Sequence, residues 1–175
     1  EMETEIEKYR GQNENFQRIP RLTDVGAIRL DTIQLRFLLL PSPIRCLEAM
    51  EDLLPVLIRN TSEKTMNEAV EKEKTLSTES VSCAEFITST RYLQKCEKEQ
   101  ESLETQRDRV MRMTSLMQSQ RWAVPDDILA HNKMLNASME ALKSQIDISL
   151  DQQDSLNEKW VEWMNKAIPD LRGDI

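Results

Sequence analysis

Glycine is scarce in this chain of 175 residues, with three in all (Gly11, Gly26 and Gly173), and aromatic residues make up only 5%. Three glycines cannot supply a GxxxxGK[ST] or GxGxxG loop, so no phosphate cradle exists within the chain. The few aromatics argue against an aromatic-rich β-sandwich core, and low glycine with 31% charged residues suits long solvated helices. Histidine occurs once, at His131, and Cys46, Cys83 and Cys96 show no CxxC spacing. Four zinc ligands at finger spacing are therefore lacking, and the cysteines read as reduced thiols of an intracellular protein. The longest apolar run, Phe37 to Leu40, is far too short to cross a bilayer. Basic residues are in deficit. With a net charge of −8 and no lysine–arginine cluster interleaved with aromatics, the chain repels phosphate backbones, and neither nucleic acid nor membrane is an expected partner. No signal peptide opens the chain and it does not begin with methionine, so a piece of something longer is expected.

What the sequence does have is heptad order. From Ile128 the first and fourth positions of a seven-residue repeat read Ile128, Asn132, Leu135, Met139, Leu142, Ile146, Ser149, Gln153, Leu156, Trp160, Trp163 and Ala167. Such a stripe belongs to a helix lying along other helices. The unbroken stretch is Asp126 to Ile168, and from Ile128 to Ala167 the helix spans about 60 Å at about 1.5 Å per residue. A second, more polar series runs Phe86, Ser89, Leu93, Cys96, Gln100, Leu103, Arg107, Val110, Thr114 and Met117. Gln100 and Arg107 at seam positions are expected to set register or meet a third helix. Ser82 and Glu85 form a capping box at its start, after a Ser/Thr-rich linker at Ser77 to Ser82. Arg121 to Pro125 breaks the pattern, so the two helices are predicted to fold back as an antiparallel hairpin.

The first half is more broken. Met2, Ile6 and Tyr9 predict a helix over residues 1–12 that Gly11 and Asn13–Asn15 stop. Phe16 to Asp31 reads as a short β-like strand or an irregular strap. Asp31, with Gln34 three residues on, caps a helix from Thr32 to Leu40 that Pro41 ends. Ser42-Pro43 opens the next helix, whose apolar face is Ile44, Leu47, Met50, Leu54 and Leu57, and Pro55 is expected to kink or divide it. A thinner stripe of Met66, Val70 and Leu76 crosses the charged tract Glu63 to Lys74, itself read as an exposed helix face. The fold expected is all-α: an elongated helical bundle with a long antiparallel hairpin and a short extended strap near residues 16–31. Two regions are expected, 1–82 (strap plus short helices) and 83–175 (the hairpin).

No catalytic, cofactor-binding or metal site assembles from these residues. His131 has no Cys or Ser partner at a meaningful spacing, and the pairs Asp126/Asp127 and Asp151/Asp154 suit capping and solvation. Trp160, Trp163 and Trp122 stand out instead. The first two share a helical face, and all three are read as packing residues or as anchors onto another domain or subunit.

One resemblance covers nearly the whole chain in order. Phe16-x-x-Ile19-Pro20 and Val25-Gly26-x-Ile28-x-Leu30-Asp31 precede Leu35, Leu38-Leu39-Leu40, Ser42-Pro43, Leu47 and Leu53-Leu54-Pro55-x-Leu57. Downstream come Ala84-Glu85-Phe86-Ile87, Trp122-Ala123-Val124-Pro125 and a long helix with a tryptophan near its end. This order resembles the tail of axonemal dynein heavy chains, in the helical bundles shortly before the linker. The family's nucleotide loops, microtubule-binding stalk and linker are absent from this chain. The resemblance therefore implies a tail segment, not itself an enzyme, of a microtubule motor whose ATPase lies elsewhere in the polypeptide. It implies a place in the axoneme of cilia or flagella, between motor ring and doublet-microtubule cargo. Its partners would be other segments of the same heavy chain, with other heavy, intermediate or light chains as further candidates. The competing expectation is a free-standing coiled-coil scaffold or adaptor.

Overall fold

The computed structural model describes residues 2–173, with side chains as far as residue 166. The elements in chain order are α1 (Met2–Arg18), β1 (Leu22–Val25), β2 (Ile28–Asp31), α2 (Ile33–Leu39), α3 (Pro41–Leu76), α4 (Cys83–Ser119) and α5 (Asp126–Gly173). The chain is all-α apart from one two-stranded antiparallel sheet. It gathers into two compact units, Glu1–Ile58 with Met113–Pro125 and Arg59–Arg112 with Asp126–Ile175.

In the first unit the buried set comprises Ile6 of α1, Pro43, Leu54 and Ile58 of α3, and Thr114 and Met117 of α4. Helix α1 does not stop at Gly11, as its sequence predicts, but continues to Arg18. A glycine inside a helix costs only about 1 kcal/mol relative to alanine. Two pairs at i,i+4 support the extra turns, Gln17 donating to Asn13 at 3.3 Å and Arg18 to Glu14 at 3.3 Å. The extended strap is a hairpin with Leu22 opposite Asp31, Thr23 opposite Leu30, Asp24 opposite Arg29 and Val25 opposite Ile28. Gly26 takes the first place of its two-residue loop with φ 63°, a left-handed conformation that tight hairpins require there. Thr32 closes the open end, its N–H donating to the Arg21 carbonyl at 2.9 Å and its hydroxyl to the Pro20 carbonyl. The Asp31 carboxylate accepts the Ile33 N–H at 2.9 Å, but the N-cap of α2 is Thr32, one residue later than the sequence suggests, and its side chain makes no cap bond because its hydroxyl is turned to the strap.

Helix α3 corrects one expectation and narrows another, that Pro55 kinks or divides it. It begins at Pro41, two residues before the predicted first helical position, and it runs through Pro55 without division. Proline removes one backbone donor and crowds the preceding turn, but the neighbouring Leu54 and Ile58 are both fully buried and hold the helix in place. Helix α4 ends by a different device. Trp122 N–H donates to the Met117 carbonyl and Arg121 N–H to that of Gln118, both at 3.0 Å, with Arg121 left-handed at φ 58°. These are the paired bonds of a Schellman motif, built here on a non-glycine residue.

The second unit is a three-helix bundle. Along α5 the predicted stripe is buried at Ile128, Asn132, Leu135, Met139, Leu142 and Ile146, then half-buried from Ser149 to Trp160. Along α4, Phe86, Leu93, Cys96, Leu103 and Val110 are buried as the sequence predicts. Ala167, the last position of the α5 series, lies outside the described side chains. Helix direction follows from cross-helix pairs. Thr65 of α3 donates to Gln106 of α4 at 3.1 Å, and Lys72 donates to Glu99 at 2.8 Å. Seven residues up α3 thus match seven residues down α4, and the two are antiparallel. Arg59 pairs with Asp127 at 2.6 Å, and Glu63 lies 3.7 Å from His131. Those steps run the same way, so α3 is parallel to α5. Phe86, at the start of α4, stacks on Trp160 near the far end of α5, which makes α4 and α5 the antiparallel hairpin.

On α3, the third helix of this bundle, the predicted stripe holds at Leu76 but lies one position off at Met66 and Val70. The buried seam of α3 is Ser62, Thr65, Ala69, Lys72 and Leu76, whereas Val70 is 45% exposed. The tract Glu63 to Lys74 therefore has an inward face. The cross-helix polar partners on α4 are Glu99 and Gln106, each one position before the predicted Gln100 and Arg107. Gln100 instead pairs with Glu104 on its own helix, and Arg107 with the adjacent Asp108.

Candidate partner-docking site

The start of α4 is set by the capping box. Ser82 Oγ accepts the Glu85 N–H at 3.2 Å, while the Glu85 carboxylate accepts the N–H groups of Ser82 at 3.3 Å and Val81 at 2.8 Å. This satisfies donors that a helix start otherwise leaves open. It also fixes where Cys83 and Phe86 stand. Phe86 is buried, and its ring meets that of Trp160 at 6.4 Å between centroids with 29° between planes. Trp163 meets Trp160 edge-on at 5.9 Å and 79°, and remains 54% exposed. Offset and edge-on pairs of this kind contribute about 0.5–1.5 kcal/mol beyond the area they bury.

The Trp160 indole is therefore wedged between a core ring and an exposed one. Its Nε1 is enclosed and finds no hydrogen-bond partner among the described residues. Leaving such a donor unmet costs about 1–3 kcal/mol. Lys159 Nζ lies 5.6 Å from the Trp160 ring centroid, in cation–π position. A cavity of about 490 Å³ opens beside the pair, lined by Val81, Cys83, Lys159, Trp160, Trp163 and Lys166 among others. Val81 is 85% exposed. The sequence offers Cys83 only as a reduced thiol and singles out none of Val81, Lys159 and Lys166. The two lysines were nonetheless legible, since seven residues apart they flank the tryptophan pair on one side of α5. Trp122 is elsewhere, half-buried in the first unit at the C-terminus of α4.

The remaining polar groups are spent on structure. Lys72 is 7% exposed and holds Glu68 at 2.9 Å and Glu99 at 2.8 Å. Burial alone would lower its pKa, but the two carboxylates outweigh burial and raise it above the ordinary lysine value. The hydrogen bond from Lys72 holds Glu99 below the usual carboxylate range, and that from Arg59 does the same for Asp127. Burial pushes the Cys96 thiol up, which leaves it a protonated packing residue. His131 Nδ1 stands 2.7 Å from the Asp127 carbonyl oxygen within its own helix. Among the described residues no group of His, Cys, Asp and Glu gathers so as to hold a metal ion. No helix of the described residues is long and apolar enough to cross a membrane.

No family model matches the chain. Among curated proteins it is similar to dynein axonemal heavy chain 6 of Homo sapiens, at 26% identity over 171 residues. The match covers 98% of this chain and spans 4% of that protein's length. With a helical bundle built throughout and a match that runs along nearly all of it, the similarity supports a dynein-related origin for this chain.

Proposed function

We propose that the chain is a structural segment of a dynein heavy-chain tail, lying shortly before the linker. The observation that carries this reading is the reach of the similarity, 171 residues over which strap, linker and long helices all take part. In this reading the segment does no chemistry. The ATP-driven motor lies elsewhere in the same polypeptide, and the tail passes force from it to a doublet-microtubule cargo in the axoneme of a cilium or flagellum. The geometry suits such a role. Three helices tied by cross-helix pairs at residues 59, 65 and 72 of α3 resist sliding along one another. Partners in this reading are other segments of the same heavy chain and further dynein heavy, intermediate or light chains.

An antibody raised against this segment tests the proposal on cell extracts of the source organism. Expected is one band of heavy-chain size that co-sediments with ATPase activity and microtubules. A small free polypeptide in its place would establish the second reading, a coiled-coil scaffold or adaptor without a motor, which the seven-residue seams of α4 and α5 favour.

A further inference from the structure

We infer that the Trp160–Trp163 end of the three-helix unit is a docking site for an acidic partner segment that inserts an apolar side chain. The inference stands apart from the dynein reading, since it rests only on this end of the bundle. Four observations meet here. Trp163, at 54% exposure, continues the core stripe of α5 past the point where α4 covers it, with Met164 beside it at 38%. The cavity beside them is bounded on one flank by Val81 and Cys83, at the start of α4, and on the other by the two rings. The Trp160 Nε1–H lacks an acceptor among the described residues, so a partner that brings one satisfies a donor the chain itself leaves unmet. Last, Lys159 and Lys166 both line the cavity and neither forms an ion pair with a described carboxylate.

Charge decides between occupants. Acidic residues outnumber basic ones by 31 to 23 in the chain, yet among the described residues two lysines against one glutamate, Glu162, line this cavity. The local sign is thus opposite to the chain's own. A second copy presenting the same end would set lysines against lysines, and a basic segment would meet them likewise. A carboxylate-bearing segment meets both ammoniums and offers an acceptor of the type the indole lacks. Exposed tryptophan beside a partly enclosed ring is the residue type that carries most energy in protein contacts, and the lysines at the edge give orientation and sign.

Indole N–H resonances of the whole chain, labelled with nitrogen-15 and assigned by tryptophan-to-phenylalanine variants, provide the readout. The probe is a short amphipathic helical peptide of Leu, Ala and Glu. It is expected to shift the Trp160 and Trp163 resonances and leave that of Trp122 in place. The double variant K159E/K166E, altered at exposed positions and checked for helicity by circular dichroism, is expected to bind about tenfold more weakly or worse. Trp163→Ala is expected to weaken binding with the lysines intact. The inference is overturned if the peptide leaves Trp160 and Trp163 unmoved, or if charge reversal leaves the affinity unchanged. It is equally overturned if the two resonances shift with chain concentration alone, since a second copy then fills the site.

Discussion

Leu103 and Leu142, in the three-helix unit, are each 1% exposed, whereas Phe37 and Leu38 of α2 are 76% and 78% exposed. The contrast extends to whole stretches. Between residues 22 and 38, Leu22, Val25, Ile28, Leu30 and Leu35 are all at least 47% exposed as well. In the bundle, by contrast, even Ser62 and Thr65 are fully buried. Burial in this chain follows position in a repeat more closely than it follows hydrophobicity. A seam position is enclosed because neighbouring helices cover it whatever residue stands there. The hairpin has only two strands, and such a unit leaves both faces open unless something packs on them. Its register sets Thr23, Val25, Ile28 and Leu30 on one face and Leu22, Asp24, Arg29 and Asp31 on the other, with Arg29 and Asp24 paired at 2.8 Å.

The sharpest way to break this comparison is to truncate one leucine or phenylalanine on each side of it. Leu142→Ala is expected to lower stability by about 2–5 kcal/mol, through lost burial and the cavity left behind. Phe37→Ala removes a larger side chain, but its ring is already in water, and the expected change is within about 0.5 kcal/mol. Urea unfolding followed by circular dichroism measures both. Equal losses would show that Phe37 is covered in solution and that the contrast is false.

Next in size is the buried ammonium. Lys72→Ala leaves Glu68 and Glu99 without their shared cation and opens a space in the seam, for an expected loss of about 1–3 kcal/mol. Lys72→Met keeps the stem and removes the charge, and is expected to lose less than Lys72→Ala, because the space stays filled and the half-exposed Glu68 and Glu99 can be solvated by water. What Lys72 contributes in addition is register, because it and Thr65 fix α3 against α4 one heptad apart. Cysteine pairs placed across that contact should cross-link in a single register in the native chain and in more than one in Lys72→Met. Acid probes the same contacts. Glu99 and Asp127 are both held below their ordinary values by cations on α3. Their contribution is therefore present above the usual carboxylate range, about pH 4, and is lost as pH falls through the lowered values. The urea midpoint is expected to hold from neutral pH to about 5 and to drop below about 4.

These contacts also mark how far the sequence could be read. The α5 stripe was legible because large apolar residues fill five of its first six positions, and all six from Ile128 to Ile146, Asn132 included, are buried. The capping box at Ser82 and Glu85 and the break at residues 121–125 were legible too, since each depends on residues close in sequence. The seam of α3 was not. Ser62, Thr65, Ala69 and Lys72 carry no hydrophobic signal, while exposed Val70 does, so a stripe drawn through apolar residues lands one position off. The partners Glu99 and Gln106 were missed for the same reason, because long polar side chains reach a neighbouring helix from beside the seam. At the candidate docking site the tryptophans were evident. The cavity was not, since Val81 and Cys83 reach it only through the way the linker enters α4.

The smallest effects test the first unit, where two glycines stand in opposite circumstances. Neither meets an atom within 4 Å when a Cβ is added, so space does not distinguish them. Backbone conformation does. Gly26 has φ 63°, and Gly26→Ala is expected to destabilise the hairpin by about 1 kcal/mol, read as faster amide exchange along the paired residues of β1 and β2. Gly11 lies inside α1, which the sequence predicted would end there. In helical geometry alanine restricts the unfolded chain and has no clash to offset that gain. Gly11→Ala is therefore expected to stabilise by about 0.5–1 kcal/mol and to slow exchange on both sides of residue 11. Slower exchange only before residue 11 would mean that the helix in solution stops where the sequence says it should. Slower exchange from both Ile6 and Phe16 would show one continuous helix, held past its own stop signal by the i,i+4 pairs of Gln17 with Asn13 and Arg18 with Glu14.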